Sequence, residues 1–159
     1  MIVYRVGDMR DYLVESDIFI FSANATIKNN GELVMGAGLA KQVKDTYTEL
    51  PLLFGKYIQS VTRSGGFYGT VIPITEQLDH PLIIPFQVKY NWWEKANLEL
   101  IKKSARTLDF MLLRIFNDKC IINMNFPGIG NGGLHKPEVI GRLDSLKNST
   151  LNYNIWTLK

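Results

Sequence analysis

Cysteine and long apolar runs are the scarcest features of this sequence. The chain has one cysteine, Cys120, which excludes an internal disulfide and a cysteine-based zinc cage. Its position inside the apolar run 120–124 favours a packed thiol over a nucleophile. No apolar stretch is long enough to cross a bilayer, and the first residues lack the layout of a signal peptide. We therefore expect a cytoplasmic protein with no membrane contact.

An excess of charge of one sign is also missing. Lys and Arg number 18 against 15 Asp and Glu, so the formal net charge is only +3. The basic surface of a dedicated duplex-DNA binder is thus absent, although nucleic acid stays open as a weakly held substrate. The 159 residues, 46% of them hydrophobic, suffice for one substantial core. We expect a single domain over 1–159 that is monomeric.

Several catalytic signature motifs do not occur. The sequence contains no H-E-x-x-H, no C-x-x-C, no G-x-S-x-G and no G-x-x-x-x-G-K-[ST]. His80, which precedes Pro81 in a predicted turn, is more typical of an exposed loop residue than of a catalytic base. Function must therefore be sought in other residues.

Apolar strands and amphipathic helices alternate along the chain. The patterns predict strands at 2–6, 17–21, 67–72, 81–86, 120–125 and 154–158. Helices are predicted from about 39, from about 51, over 94–116 and over 137–146. This alternation with short connections predicts a three-layer α/β/α domain.

The segment 126–134 is the most informative stretch, because four of its glycines fall within six positions directly after a predicted buried strand. Successive unobstructed N–H groups can form an anion-binding concavity, and a helix starting near Lys136 would point its positive end to the same place. A phosphate is the natural ligand. The alternative is a tight strand-to-helix connection without a ligand, which so many glycines would weaken.

Another loop of small residues, at 34–38, also precedes a helix. Two loops of this kind favour a phosphate-containing ligand, although close packing of helix on sheet explains one G-x-G pair equally well. Asn24 follows the strand before this loop, where ligands bind in open α/β sheets. Its amide either contacts a ligand or ties down its own loop through local hydrogen bonds.

Taken together, these motifs resemble a macrodomain, the ADP-ribose-binding fold. The resemblance rests on Gly7-Asp8-Met9, the strand that ends at Asn24, the loop 35–40 and the loop 128–134, in that order, and it covers nearly the whole chain. The chain is similar to one branch of the macrodomains in three motifs: M-G-x-G-[IL]-A, a later G-x-G-N-G-G-L, and a strand that ends F-x-x-K before aromatic residues. That branch holds the terminal ADP-ribose glycohydrolases and the antitoxin macrodomains that remove ADP-ribose from DNA bases. The implied α/β fold has a mixed central sheet.

Position by position, the resemblance implies which residues contact ADP-ribose. Asp8 would accept from the adenine amino group, the backbone of Met9 would mark the same edge, and Asn24 would hold the distal ribose. Two loops would grip the diphosphate: Gly36, Ala37, Gly38 and Leu39 in the first, and Gly128, Ile129, Gly130, Asn131, Gly132 and Gly133 in the second. We add His135, which ends the second loop, to the candidate contacts, although its position at a predicted helix start is more typical of a residue that faces water. No cofactor and no metal is implied.

Lys89 matches the catalytic lysine of that branch. The residues alone favour a solvated lysine lying over a tryptophan, and the resemblance reverses this preference. An ammonium there could stabilise or protonate the leaving base, and a neutral amine could attack as a nucleophile.

Four departures from the family pattern bear on the substrate. Phe21-Ser22-Ala23-Asn24 stands where the family commonly has N-A-A-N, and the inserted segment 28–32 would alter the rim of the cleft. His135-Lys136 stand where antitoxin macrodomains have Asp-Trp, and Gly132 stands where the terminal ADP-ribose enzymes have a catalytic carboxylate. A site without that acid is more positive, which suits a nucleic-acid-linked or terminally phosphorylated ADP-ribose better than a protein glutamate ester.

The resulting prediction is an ADP-ribosyl hydrolase whose substrate is ADP-ribosylated DNA in preference to ADP-ribosylated protein. One alternative is an ADP-ribose 1″-phosphate phosphatase, and another is a non-catalytic reader of ADP-ribose. An unrelated nucleotide-binding α/β domain is disfavoured by the lack of a Walker loop.

Overall fold

A five-stranded sheet forms the centre of the computed structural model, which describes residues 1–77 and 80–158. Its strands are β1 (Ile2–Val6), β2 (Ile18–Ala23), β3 (Leu82–Gln87), β4 (Ile122–Asn125) and β5 (Tyr153–Thr157). They lie in the order β1-β5-β4-β2-β3. Every pairing between these strands is parallel, so their carboxyl ends meet at one edge of the sheet.

Five α-helices cover the two faces of the sheet. They are α1 (Gly38–Thr46), α2 (Leu50–Gln59), α3 (Leu98–Leu113), α4 (Lys136–Ile140) and α5 (Asp144–Lys147). Alternation along β2 supplies both cores: Ile18 and Ile20 pack with α3, α4 and α5, whereas Phe19 and Phe21 pack with α1 and α2. The predicted three-layer α/β/α architecture is confirmed.

The expectation of a mixed sheet is wrong for the strands described. The segment 67–72, predicted as a strand, makes only one isolated antiparallel bridge, between Thr70 and Phe86. The side chain of Gln87 explains this, because its Oε1 accepts from the N–H groups of Tyr68 and Gly69 at 2.9 and 3.0 Å. A side chain thus satisfies the groups that a strand ladder would otherwise use.

Two helix boundaries also differ from the sequence prediction. The long helix begins at Leu98 rather than near residue 94, because Asn97 caps it by accepting from the N–H of Leu100 at 3.0 Å. The residues before Asn97 therefore form a loop at the carboxyl end of β3. The helix expected over 137–146 is divided into α4 and α5. None of the described helices is long and apolar enough to span a bilayer.

The cysteine and the first histidine both lie away from the carboxyl edge of the sheet. Burial raises the pKa of the Cys120 thiol to about 11, so this group is protonated at neutral pH, as expected for a packed thiol. His80 is in a loop but is not exposed as predicted, because its ring packs on Tyr47 at a centroid distance of 4.2 Å.

Candidate functional site

A cleft of about 770 Å³ opens where the strands end. Its wall takes residues that follow or end each of the five strands, which is where ligands bind in open α/β sheets. The sheet itself opens this cleft. Strands β2 and β4 pair only as far as Ile20 and Met124, and beyond that point the side chain of Asn125 accepts from the N–H of Ser22 at 2.8 Å.

The glycine loop after β4, residues 128–134, forms one wall of the cleft. Within the described residues, the N–H groups of Ile129, Gly130 and Asn131 donate to no protein acceptor. A Cβ at Gly130 would meet no atom within 4 Å, so the loop presents bare backbone to the open space. Successive free N–H groups of this kind form a site for an anion.

The loop of small residues at 34–38 forms the facing wall. It leads into α1, whose N-cap residue Ala37 supplies no side-chain hydrogen bond. The first N–H groups of this helix consequently find no acceptor in the described part of the chain. The two loops are close together, since a Cβ at Gly38 would lie 3.5 Å from Nδ2 of Asn131. One diphosphate can therefore be reached from both sides.

Asn24 lies at the floor of the cleft with its amide already engaged. Its Nδ2 donates to the carbonyl of Val34 at 3.0 Å, and its Oδ1 accepts from the N–H of Thr26 at 2.9 Å. The hydroxyl of Tyr68, buried beneath, donates to the carbonyl of Asn24 at 2.8 Å. Asn24 therefore ties the end of β2 to the first loop, which is the local role that the sequence left open.

Lys89 enters the cleft from the loop after β3 and is half-buried. Burial lowers the pKa of its ammonium below the ordinary 10.5, and the negative charge of Glu94 opposes part of that shift. Among the described residues, its ammonium has no ion-pair partner and lies over no aromatic ring. The contact with a tryptophan that the residues alone favoured is not formed.

The opposite end of the cleft holds an ion pair. The Asp8 carboxylate accepts from the N–H of Arg10 at 3.0 Å and from its Nε at 2.8 and 2.9 Å, with a further bond from Nη2 to Oδ2. These hydrogen bonds hold the pKa of Asp8 below its usual range. Asp8 and Met9 both line the cleft, and Trp156 lies beside them.

Three predicted features lie outside the cleft wall. Gly133, near the end of the glycine loop, and His135, which follows the loop, are exposed and do not line the cleft. The inserted segment 28–32 was expected to alter the rim, but it packs on α2, where a Cβ at Gly55 would lie 1.8 Å from the carbonyl oxygen of Gly31. That expectation is wrong, because the insertion fills the groove above Gly55.

Gln87 was missed by the sequence analysis, although it positions the Lys89 loop. It is fully buried, and its Nε2 donates to the carbonyls of Gly66 and Lys89 at 2.8 and 3.3 Å. The signal was a single amide within the apolar run 82–88. Ser22 and Asn125 were missed as a pair because their contact spans 103 positions.

Comparison with known proteins supports the fold through structure. No protein-family model and no curated protein sequence matches the chain. The structure is similar to the macrodomain of Mycobacterium tuberculosis DarG, with a TM-score of 0.71 and 28% identity over 98% of this chain and 97% of that one. It is also similar to the macrodomain of Thermus aquaticus DarG, with a TM-score of 0.70 and 19% identity over 99% and 98% of the two chains.

A third similar structure contains a ligand. Thermosipho africanus DarTG, solved in complex with ADP-ribose, has a TM-score of 0.67 and 19% identity, and the match covers 98% of this chain and 42% of that one. The order of elements and the cleft at the strand ends agree with these structural similarities. The chain is a macrodomain by fold, and it is similar to the macrodomains of the DarG proteins.

Proposed function

We propose that this protein is an ADP-ribosyl hydrolase that removes ADP-ribose from a modified macromolecule, with a DNA base preferred over a protein side chain. The observation that carries the proposal is the meeting of two sets of free backbone N–H groups with one unpaired lysine in a single cleft. The first feature fits a diphosphate, and the second fits a reaction next to it.

The cleft suits an ADP-ribose that lies along its length. Its diphosphate would sit between the loops that carry Gly38 and Gly130, its adenine beside Asp8, and its distal ribose over Asn24. The Asp8 carboxylate has about four acceptor sites, and three donors of Arg10 (its backbone N–H, Nε and Nη2) contact it, which leaves room for a bond from the adenine amino group. The Thermosipho africanus DarTG structure with ADP-ribose supports this choice of ligand.

Lys89 would act where the modified group is attached. In hydrolysis, the bond between the anomeric carbon and the base breaks, water supplies the new oxygen on that carbon, and a proton goes to the leaving base. An ammonium can stabilise or protonate the leaving base. A neutral amine can instead attack the anomeric carbon and displace the base, and water then hydrolyses the resulting adduct to release the lysine. Burial lowers the pKa of Lys89, which raises the share of the neutral amine at a given pH.

The charge of the cleft supports a nucleic-acid substrate over a protein ester. Among the described residues that line it, Asp8 is the only acid, and Arg10 already neutralises it. The end that holds Lys89 therefore has a positive charge and, among the described residues, no acid in its wall; the carboxylate of Glu94, outside the wall, offsets part of that charge. Such an end attracts a group attached to a phosphate backbone.

A non-catalytic reader is the second candidate, and one observation favours it. Gly132 stands where the resemblance places the catalytic carboxylate of the terminal ADP-ribose enzymes. It packs so closely that an added Cβ would lie 2.9 Å from Cβ of Ala96. No acidic side chain of the described residues replaces it in that part of the cleft wall. A protein lacking this acid could bind ADP-ribose without turnover.

Product analysis tests the proposal. ADP-ribosylated DNA, ADP-ribosylated protein and ADP-ribose 1″-phosphate would be incubated side by side with the protein, and the free ADP-ribose and inorganic phosphate released would be quantified. We expect ADP-ribose release, fastest from DNA. Phosphate release would indicate a phosphatase, and binding without any product would indicate a reader.

A further inference from the structure

We propose that Trp92 and Trp93 form a stacking platform for nucleobases next to the ADP-ribosylated base, so that single-stranded nucleic acid is held at the mouth of the cleft. This inference rests on the proposed function and specifies its substrate. The platform is defined as these two indoles on the loop 89–97.

The exposure of the two indoles is unusual in this molecule. Trp92 is 54% and Trp93 is 64% exposed, and their rings meet edge to face at 5.9 Å. No other aromatic pair among the described residues has both rings more than half exposed. Leaving two large apolar rings in water is unfavourable, and such surfaces commonly mark a binding site.

The platform continues the cleft beyond Lys89. Trp92 lines the cleft itself, and Trp93 lies just outside its wall. A ligand with its diphosphate between the two glycine loops and its anomeric carbon at Lys89 directs the attached base towards this loop. The surface that receives the macromolecular part of the substrate is therefore aromatic.

The backbone beneath the platform is fixed. The N–H of Trp92 donates to Oγ1 of Thr26 at 3.0 Å, and the carbonyl of Tyr90 accepts from the N–H of Ala25 at 2.9 Å. At the other end of the loop, the N–H of Ala96 donates to the carbonyl of Gly132 at 2.9 Å. These contacts hold the loop to β2 and to the glycine loop, so the indoles are exposed on a rigid support.

The chemistry of the surface identifies a nucleic acid as the occupant. Every base offers a π face, and its stacking on an aromatic side chain needs no particular sequence. Lys95 lies beside the platform, its stem 3.3 Å from the Cβ position of Gly133, and its charge suits a phosphate backbone. The one acid of the loop, Glu94, accepts from the N–H of Asn91 at 2.7 Å.

The experiment compares two ligands in the Lys89→Ala background, where binding can be measured without turnover. Calorimetry would use free ADP-ribose and a single-stranded oligonucleotide with one ADP-ribosylated base. Trp93→Ala is the principal variant because Trp93 does not line the cleft, and Phe110→Ala is its matched control because Phe110 is 63% exposed on α3. Trp93→Phe tests rescue by an aromatic ring.

We expect Trp93→Ala to weaken the oligonucleotide about tenfold, the effect typical of one lost base stack, and to leave free ADP-ribose unchanged. Trp93→Phe should restore most of this loss, and Phe110→Ala should change neither affinity. An unchanged oligonucleotide affinity in Trp93→Ala, or an equal loss for both ligands, would overturn the platform. Failure of the parent protein to bind free ADP-ribose would instead overturn the proposed function.

Discussion

At the scale of single residues, the two ends of the cleft differ in how their charges are compensated. The carboxylate of Asp8 is held by Arg10, whereas the ammonium of Lys89 has no ion-pair partner within the described residues. An unpaired, half-buried ammonium is held at a cost, which appears as its lowered pKa. The negative charge of a bound diphosphate would offset part of that cost.

The pH dependence of ADP-ribose affinity should report this effect. In the free protein the pKa of Lys89 is below 10.5, and the negative charge of the ligand would raise it again. Binding should therefore take up protons, and affinity should fall as the pH rises through the lowered pKa. Calorimetry between pH 7 and 10 would measure both the ADP-ribose affinity and the proton uptake. Lys89→Met should flatten the profile, while Lys119→Met, at an exposed position outside the cleft, should not.

The role of Asp8 can be separated from its contacts within the protein. Asp8→Ala should weaken ADP-ribose by about 1–3 kcal/mol, the cost of an unpaired polar partner, because the adenine amino group loses its acceptor. IDP-ribose lacks that amino group and should lose much less. Titrations of both ligands would test this, with Asp11→Ala as the control. Equal losses would mean that Asp8 only caps the turn that starts at Met9.

At the scale of elements, the glycine loop after β4 combines two kinds of position. Gly128 is closed in, because an added Cβ would lie 2.7 Å from Cδ1 of Ile101. Gly130 faces open space, and its φ of +65° is one that other residues rarely adopt. The first position shapes the loop against α3, and the second faces the ligand.

Gly130 and Gly133 provide a matched pair for testing the loop. Both have a left-handed backbone, with φ of +65° and +73°, but only Gly130 lines the cleft. Alanine at either position should destabilise the protein by about 1 kcal/mol. Only Gly130→Ala should also weaken ADP-ribose, because its methyl group would lie where the phosphate approaches. Thermal unfolding would measure the stability and calorimetry the ADP-ribose affinity. Equal ADP-ribose affinities of Gly130→Ala and Gly133→Ala would remove Gly130 from the site.

Two buried glutamines separate support of the site from support of the fold. Gln87 holds the Lys89 loop, whereas Gln77 makes bonds of 2.8 and 2.9 Å to the backbone of Ile83, away from the cleft. Replacing either by leucine should cost about 2–4 kcal/mol, because buried backbone groups lose their partners. Denaturant unfolding would measure that loss. Only Gln87→Leu should also lower ADP-ribose affinity, and an equal effect on affinity from both variants would contradict this role.

At the scale of the whole molecule, local patterns in the sequence account for the layers. The alternation at Ile18 to Phe21 predicts a strand buried on both faces, and the glycine loop 128–134 follows β4 closely, as expected. The edge of the sheet could not be predicted in this way. Whether 67–72 pairs as a strand depends on Gln87, 18 and 19 positions away from the groups it satisfies.

The arrangement of the site was less accessible from sequence than its composition. The residue types that suit a diphosphate are visible in the loops, but their facing positions follow from the shared end of parallel strands. The exclusion of His135 from the cleft and the packing of the insertion on Gly55 are properties of the folded chain. Local pattern contains no information on either.

The central claim is that this cleft binds ADP-ribose and that Lys89 carries its release. The most direct test measures the rate of ADP-ribose release from an ADP-ribosylated single-stranded oligonucleotide, together with ADP-ribose affinity, for the parent and for Lys89→Ala. We predict release by the parent and a rate at least about 100-fold lower in the variant, with a far smaller loss of affinity. Release by Lys89→Ala at the parent rate, or binding by the parent without any release, would contradict the account.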